Sequence, residues 1–181
     1  MNFPKIPNPV NLSTVSEDEL QEIYNSPITI EPILHGKDII FGTDDRGDII
    51  IRINNKPYKM GKNDEIDNLI EPCLKITLPI LFQFYIMYGK ITDKLEFYDI
   101  YDTLNQNFIS TGLKKDLDEV TGLYEILVTT IYEDENGITE EELIAVGDDY
   151  NEFYLRLDSK DHGPFLNKRF IEIQKNGEVN A

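Results

Sequence analysis

The chain has 181 residues, with 34 Asp and Glu against 17 Lys and Arg, for a formal charge of −17 at pH 7. So acidic a balance argues against sequence-independent binding of DNA or RNA, which draws on Lys and Arg to neutralise phosphates, and against an anionic membrane surface. A hydrophobic share of 40% with 10% aromatic residues places the chain with folded rather than disordered proteins. A single cysteine, Cys73, allows no intrachain disulfide and fits a reducing compartment. The opening MNFPKIPNPVNLS has neither the basic nor the apolar region of a secretory signal. The longest apolar run, residues 78–88, is interrupted by Gln83 and is about half the ~20 residues of a membrane-spanning helix. A cytoplasmic location is expected, without membrane partners.

Three prolines, Pro4, Pro7 and Pro9, favour an extended arm at the start. S-E-D-E from Ser16 to Glu19 is a capping-box pattern and predicts a helix over residues 17–25. Apolar runs then alternate with turn residues: D-I-I-F, T-D-D-R-G-D, I-I-I-R-I, N-N-K-P and Tyr58. Gly47 serves the first reversal and Asn54, Asn55 and Pro57 the second, which predicts a β-meander. Asn63 caps a further helix that Pro72 ends or kinks. Pro79 and Gly89 bracket I-L-F-Q-F-Y-I-M-Y, predicting a second, almost wholly buried helix. Beyond it come a short run at 95–98, a helical turn at 99–104, and apolar segments at 124–132, 143–147, 152–157 and 165–173. In E-F-Y-L-R-L, Phe153, Leu155 and Leu157 share one strand face while Glu152, Tyr154 and Arg156 share the other. The expected fold is α+β, with a mainly antiparallel sheet and helices packed on one side, preceded by a small helix and a β-meander.

Charge is uneven along the chain. Residues 116–158 contain fourteen acids against the single base Arg156, thirteen of the seventeen net negative charges. A face of one sign can steer a basic partner by fast, salt-sensitive association.

Motifs for chemistry are sparse. Two histidines, His35 and His162, sit in loop contexts and are read as solvated, and Cys73 as a small core residue. E-D-E-N-G-I-T-E-E-E at 133–142 fails as a calcium loop. With Gly137 at the sixth position, Tyr132 and Leu143 fall at the first and twelfth, where carboxylates are needed. Asn136-Gly137 is therefore read as a turn, as is T-D-D-R-G-D. One Cys and two His do not make a zinc site, and no glycine-rich phosphate loop occurs. Neither cofactor nor metal is expected.

From about residue 63 to 173 the chain resembles the SUKH superfamily, the Smi/Knr-type domain of bacterial immunity proteins and a fungal regulator of cell-wall synthesis. Residues 66–74 correspond to its first helix. Leu78-Pro79 and I-L-F-Q-F-Y-I-M-Y-G correspond to its second, L-I-A-V-G-D-D-Y-N-E-F-Y-L-R-L-D to its later strands, and G-P-F-L-N-K-R-F to its closing strand. Tyr88-Gly89-Lys90 stands where the family often has Asn-Gly-Gly. The resemblance implies a domain over residues 61–175 after an N-terminal extension of 1–60, with a flexible tail at 176–181. It also implies a non-catalytic immunity protein, an antitoxin that blocks a toxin, often a nuclease. On this reading the partner is a basic toxin protein rather than nucleic acid, met by Asp148, Asp149, Tyr150, Glu152 and Tyr154 together with Glu133, Asp134 and Glu135. The alternative of another class is a regulatory scaffold or peptide-binding module without a toxin. An enzyme cleaving carbohydrate through paired carboxyls is a third reading.

Overall fold

The computed structural model describes residues 2–109, 113–114, 116–117, 121–157 and the backbone of 165–167. The fold is α+β, as expected, and is built on two sheets. The chain divides into two compact units, one of Met1–Lys5 with Leu34–Val128, the other of Ile6–Ile33 with Thr129–Ala181. The boundary at residue 60 implied by the resemblance falls inside the first unit. His162, Asp118, Glu119, Asp158, residues 168–173 of the closing strand and the tail at 176–181 lie outside the described residues.

The strands are β1 (Val10–Asn11), β2 (Ile28–Pro32), β3 (Lys37–Thr43), β4 (Ile49–Ile53), β5 (Lys56–Tyr58), β6 (Tyr85–Ile91), β7 (Leu95–Asp102), β8 (Asn107–Phe108), β9 (Tyr132–Asp134), β10 (Phe153–Leu157) and β11 (Phe165–Asn167). The α-helices are α1 (Glu17–Tyr24), α2 (Asp64–Leu81) and α3 (Glu140–Asp149).

In the first unit, six antiparallel strands run in the order β5-β4-β3-β6-β7-β8. The predicted meander is β3, β4 and β5. Its first turn forms because Asp44 Oδ1 accepts from the amides of Arg46 and Asp48, both at 2.9 Å, and Gly47 takes φ +82°. Asn54 and Asn55, both at positive φ, make the second.

The second predicted helix does not form. Asn63 caps α2, accepting from the Ile66 amide at 3.2 Å, and the helix runs through both Pro72 and Pro79 to Leu81. Each proline removes one amide donor. Burial of Ile70, Cys73, Thr77, Ile80 and Leu81, spaced as one helical stripe, offsets that loss. From Tyr85 the period changes to two, and residues 85–91 form β6 between β3 and β7. Met87 and Ile91 join the core that α2 covers. Tyr88, on the opposite face, packs its ring 5.5 Å from that of Phe108 and donates its hydroxyl to the Pro4 carbonyl. With both faces covered, the strand is apolar from Tyr85 to Gly89 and lacks regular polar alternation, Lys90 near its end pairing with Asp38. Gly89 is a strand glycine beside a register shift, where a Cβ would meet the Glu96 carbonyl oxygen, rather than a helix cap.

The helical turn expected at 99–104 is also replaced, because β7 continues to Asp102. In the 124–132 segment, residues Leu123–Glu125 form a 3₁₀ turn, Leu127 bridges to Phe97, and a strand appears only at β9.

In the second unit the order is β1-β11-β10-β2-β9, antiparallel except for β1 beside β11. The capping box of α1 is present: the Glu19 amide donates to Ser16 Oγ at 3.2 Å, and the Ser16 amide to Glu19 Oε2 at 3.4 Å. Residues 143–147, expected as strand, lie in α3. Thr139 and Glu142 form a second capping box at its start, with bonds of 3.2 and 3.1 Å, and three glutamates occupy its first turn, where the helix dipole favours them. Ile23 of α1, Leu143 of α3, Ile28 and Ile30 of β2, and Phe153, Leu155 and Leu157 of β10 make the core.

Candidate functional site

Alternation along β2 and β10 gives the second unit's sheet two unlike faces. Ile28 and Ile30 point into the apolar core, opposite Leu157 and Leu155. Thr29 and Glu31 therefore point the other way, and both are buried, at 1% and 4% exposure. Register places Tyr154 opposite Glu31, and Arg156 opposite Thr29. On the far side of β2, Thr29 pairs with Glu133. One row across three strands thus reads Arg156, Thr29, Glu133, with Tyr154 and Glu31 in the next row.

Within this face Arg156 donates from Nε to Glu31 Oε2 at 2.8 Å. The pair is diagonal, which long side chains on neighbouring antiparallel strands can span. A sheet face both polar and buried is unusual for a small domain, where buried charges are seldom found without a partner. A guanidinium fixed by a carboxylate keeps its planar fork of donors in one orientation, the geometry suited to phosphate or carboxylate groups. No cluster of three or more His, Cys, Asp or Glu placed to hold a metal occurs among the described residues.

The residues expected to meet a partner are distributed around this unit. Glu133 and Tyr154 stand on the polar face. Asp134 accepts from the Asn136 amide at 2.7 Å and from the Tyr132 hydroxyl at 3.3 Å, making it a turn-forming acid beside exposed Glu135. Burial first, and then its hydrogen bond to Glu142, push the Tyr132 hydroxyl up to about 12. Asp148 and Asp149 end α3, exposed Tyr150 is its C-cap, and half-buried Glu152 leads into β10. Thr29, Glu31 and Arg156 escaped the sequence reading as a group. The alternation of I-T-I-E, matched to that of E-F-Y-L-R-L, is the signal that finds them. In the first unit, Cys73 lies in the apolar core, and burial pushes its thiol up to about 11. His35 is exposed between β2 and β3.

No family model matches the chain, and no curated protein is similar to it. Solved structures of Naegleria gruberi RNA ligase share its fold. A form with ATP and manganese superposes with a TM-score of 0.68 at 11% identity, covering 96% of this chain and 60% of the ligase. A ligand-free form gives 0.69 at 12% identity, and a form with pyrophosphate 0.68 at 12%, with the same coverage. At such identity the likeness is one of fold, and the chain spans about three-fifths of the ligase's length. It corrects the functional expectation: a fold used by RNA ligases replaces the non-catalytic immunity protein, the antitoxin, the toxin-free scaffold and the absence of enzymatic activity. No helix among the described residues is long and apolar enough to cross a membrane.

Proposed function

We propose that this chain is a nucleotidyltransferase-like domain that binds an adenine nucleotide as its divalent-metal complex, with the polar face of Thr29, Glu31, Tyr154 and Arg156 oriented toward the phosphates. The observation that carries the reading is the fold likeness to RNA ligase forms holding ATP or AMP with manganese over 96% of the chain. Charge selects the form of the ligand. A chain at −17 repels a bare triphosphate, whereas a divalent ion on the phosphates removes most of that repulsion. Such ions commonly bind through substrate phosphates and one or two carboxylates rather than in an all-protein cage. The same charge disfavours a long RNA strand along this chain alone.

Calorimetric titration with ATP, with and without Mn²⁺, tests the reading. The expected result is binding that needs the metal and weakens at least tenfold in Arg156→Lys, which keeps the charge but loses the planar fork. Incubation with α-labelled ATP then reports whether label passes to protein or to an added RNA end, with pyrophosphate released. Absence of metal-dependent ATP binding at millimolar nucleotide overturns it.

A further inference from the structure

At one end of the six-stranded sheet, where α2 stops and β6 begins, large apolar side chains stand in solvent. Phe82 is 69% exposed, Phe84 56% and Leu104 71%. Leu104 follows Thr103, whose amide and hydroxyl both donate to the Phe84 carbonyl, at 2.9 and 2.7 Å. Between this connection and the tip of the β3–β4 hairpin lies a cavity of about 560 Å³, its walls including Thr43, Arg46, Phe82, Phe84, Tyr85 and Thr103. That volume is in the range of ligand pockets, ~300–1,000 Å³.

Phe84 is held at φ +67°. The left-handed residue that ends a helix is ordinarily Gly or Asn, and a bulky side chain there is strained. More than half exposed, the Phe84 ring does not offset that strain by burial in the core. Glycine would relax the backbone and remove little packing, so the ring's contribution lies outside the fold.

Aromatic rings, an arginine and a recess match the composition of protein-interface hot spots. The hairpin tip sets the sign of the partner. Asp45 and Asp48 are exposed there beside Arg46, and with Asp44 they leave the tip net negative, so a basic segment is attracted and a nucleic acid repelled. We propose that this end of the sheet docks a basic segment of a partner protein, one apolar side chain entering the cavity against Phe82 and Phe84 while flanking Lys or Arg face Asp45 and Asp48. The proposal is independent of nucleotide binding.

The test uses the full chain and three fluorescent probes: a nine-residue peptide with a central Trp between Lys pairs, the same peptide with Glu pairs, and an eight-nucleotide oligouridylate. Polarisation is expected to show binding of the Lys peptide that weakens with salt, with the other two probes at least tenfold weaker. Phe84→Gly is expected to lose at least tenfold in affinity while its Tm holds or rises. Phe82→Ser, at the more exposed ring, is expected to lose affinity similarly and serves if the first variant does not fold. A lowered Tm with unchanged affinity in Phe84→Gly makes the ring structural and overturns the proposal. So do equal affinities for the two peptides, tighter binding of the oligonucleotide, no binding of the Lys peptide at 1 mM, or a dimer of the chain that Phe82→Ser dissolves.

Discussion

Arg156 and Glu31, on adjacent antiparallel strands, form a 2.8 Å charge-assisted hydrogen bond on the sheet face that the apolar core does not use, with the side chains only 10% and 5% exposed. Removing one partner takes this bond away from a charge that stays buried, which destabilises by up to about 3–5 kcal/mol, whereas replacing both by apolar groups is milder. Glu31→Ala alone is therefore expected to be more destabilising than the double variant Glu31→Leu with Arg156→Met. Urea unfolding, compared at equal m values, measures the difference. A double variant as damaged as the single one contradicts the account.

Gly137 and Gly47 both take positive φ, at +94° and +82°, but their surroundings differ. A Cβ on Gly137 would collide with the Tyr24 carbonyl at the end of α1, while one on Gly47 meets nothing within 4 Å. Gly47→Ala is expected to cost about 1 kcal/mol, for backbone conformation alone. Gly137→Ala should cost about 2–3 kcal/mol, because overpacking adds to that term. Thermal melts of the two variants give the ranking directly.

Asp148 and Asp149 occupy the last turn of α3, which holds no basic residue, so both acids face the negative end of the helix dipole. Asp149→Lys is expected to stabilise the fold by about 0.3–1 kcal/mol at low ionic strength. The gain should shrink in 1 M salt. Chemical denaturation at two salt concentrations checks both the sign and the screening.

Alkaline pH is expected to destabilise the protein in two stages. Burial pushes the Cys73 thiol from 9.0 up to about 11, and burial, with Glu140 adding to it, pushes the Tyr24 hydroxyl from 10.0 up to about 12. Each group is raised on folding, so the fold favours its protonated form. That stability is fully present below the unfolded value and is lost as pH climbs through the folded one. The Cys73 contribution fades between pH 9 and 11, and that of Tyr24 between pH 10 and 12. Melts from pH 8 to 12 of the wild type, Cys73→Ala and Tyr24→Phe test this, each variant flattening its own window. At pH 8 the thiol should react with a disulfide reagent roughly 100-fold more slowly than a free thiol, since the thiolate is the nucleophile.

Local signals suffice where chemistry within four or five residues decides the outcome. Ser16 with Glu19 located α1, Asn63 located the start of α2, and Gly47 with Asn54 and Asn55 located the turns of the meander. The same capping signature stands at Thr139 and Glu142, where it starts α3 across the residues 143–147 that the apolar pattern assigns to strand. Residues 78–91 carry no such signal, because a strand covered on both faces has no regular polar alternation, and the apolar stretch Tyr85–Tyr88 is indistinguishable from a buried helix by periodicity alone.

By itself, the sequence determined the α+β class, the meander, the caps and the acidic character of residues 116–158, all of which follow from composition and from contacts along the chain. Tertiary structure decided that α2 runs through two prolines, that residues 85–91 become a central strand, and that Thr29, Glu31, Tyr154 and Arg156 share one polar face. The reason is physical. A ladder between β2 and β10 joins residues more than a hundred positions apart, and their juxtaposition rests on strand register and burial that no local pattern encodes.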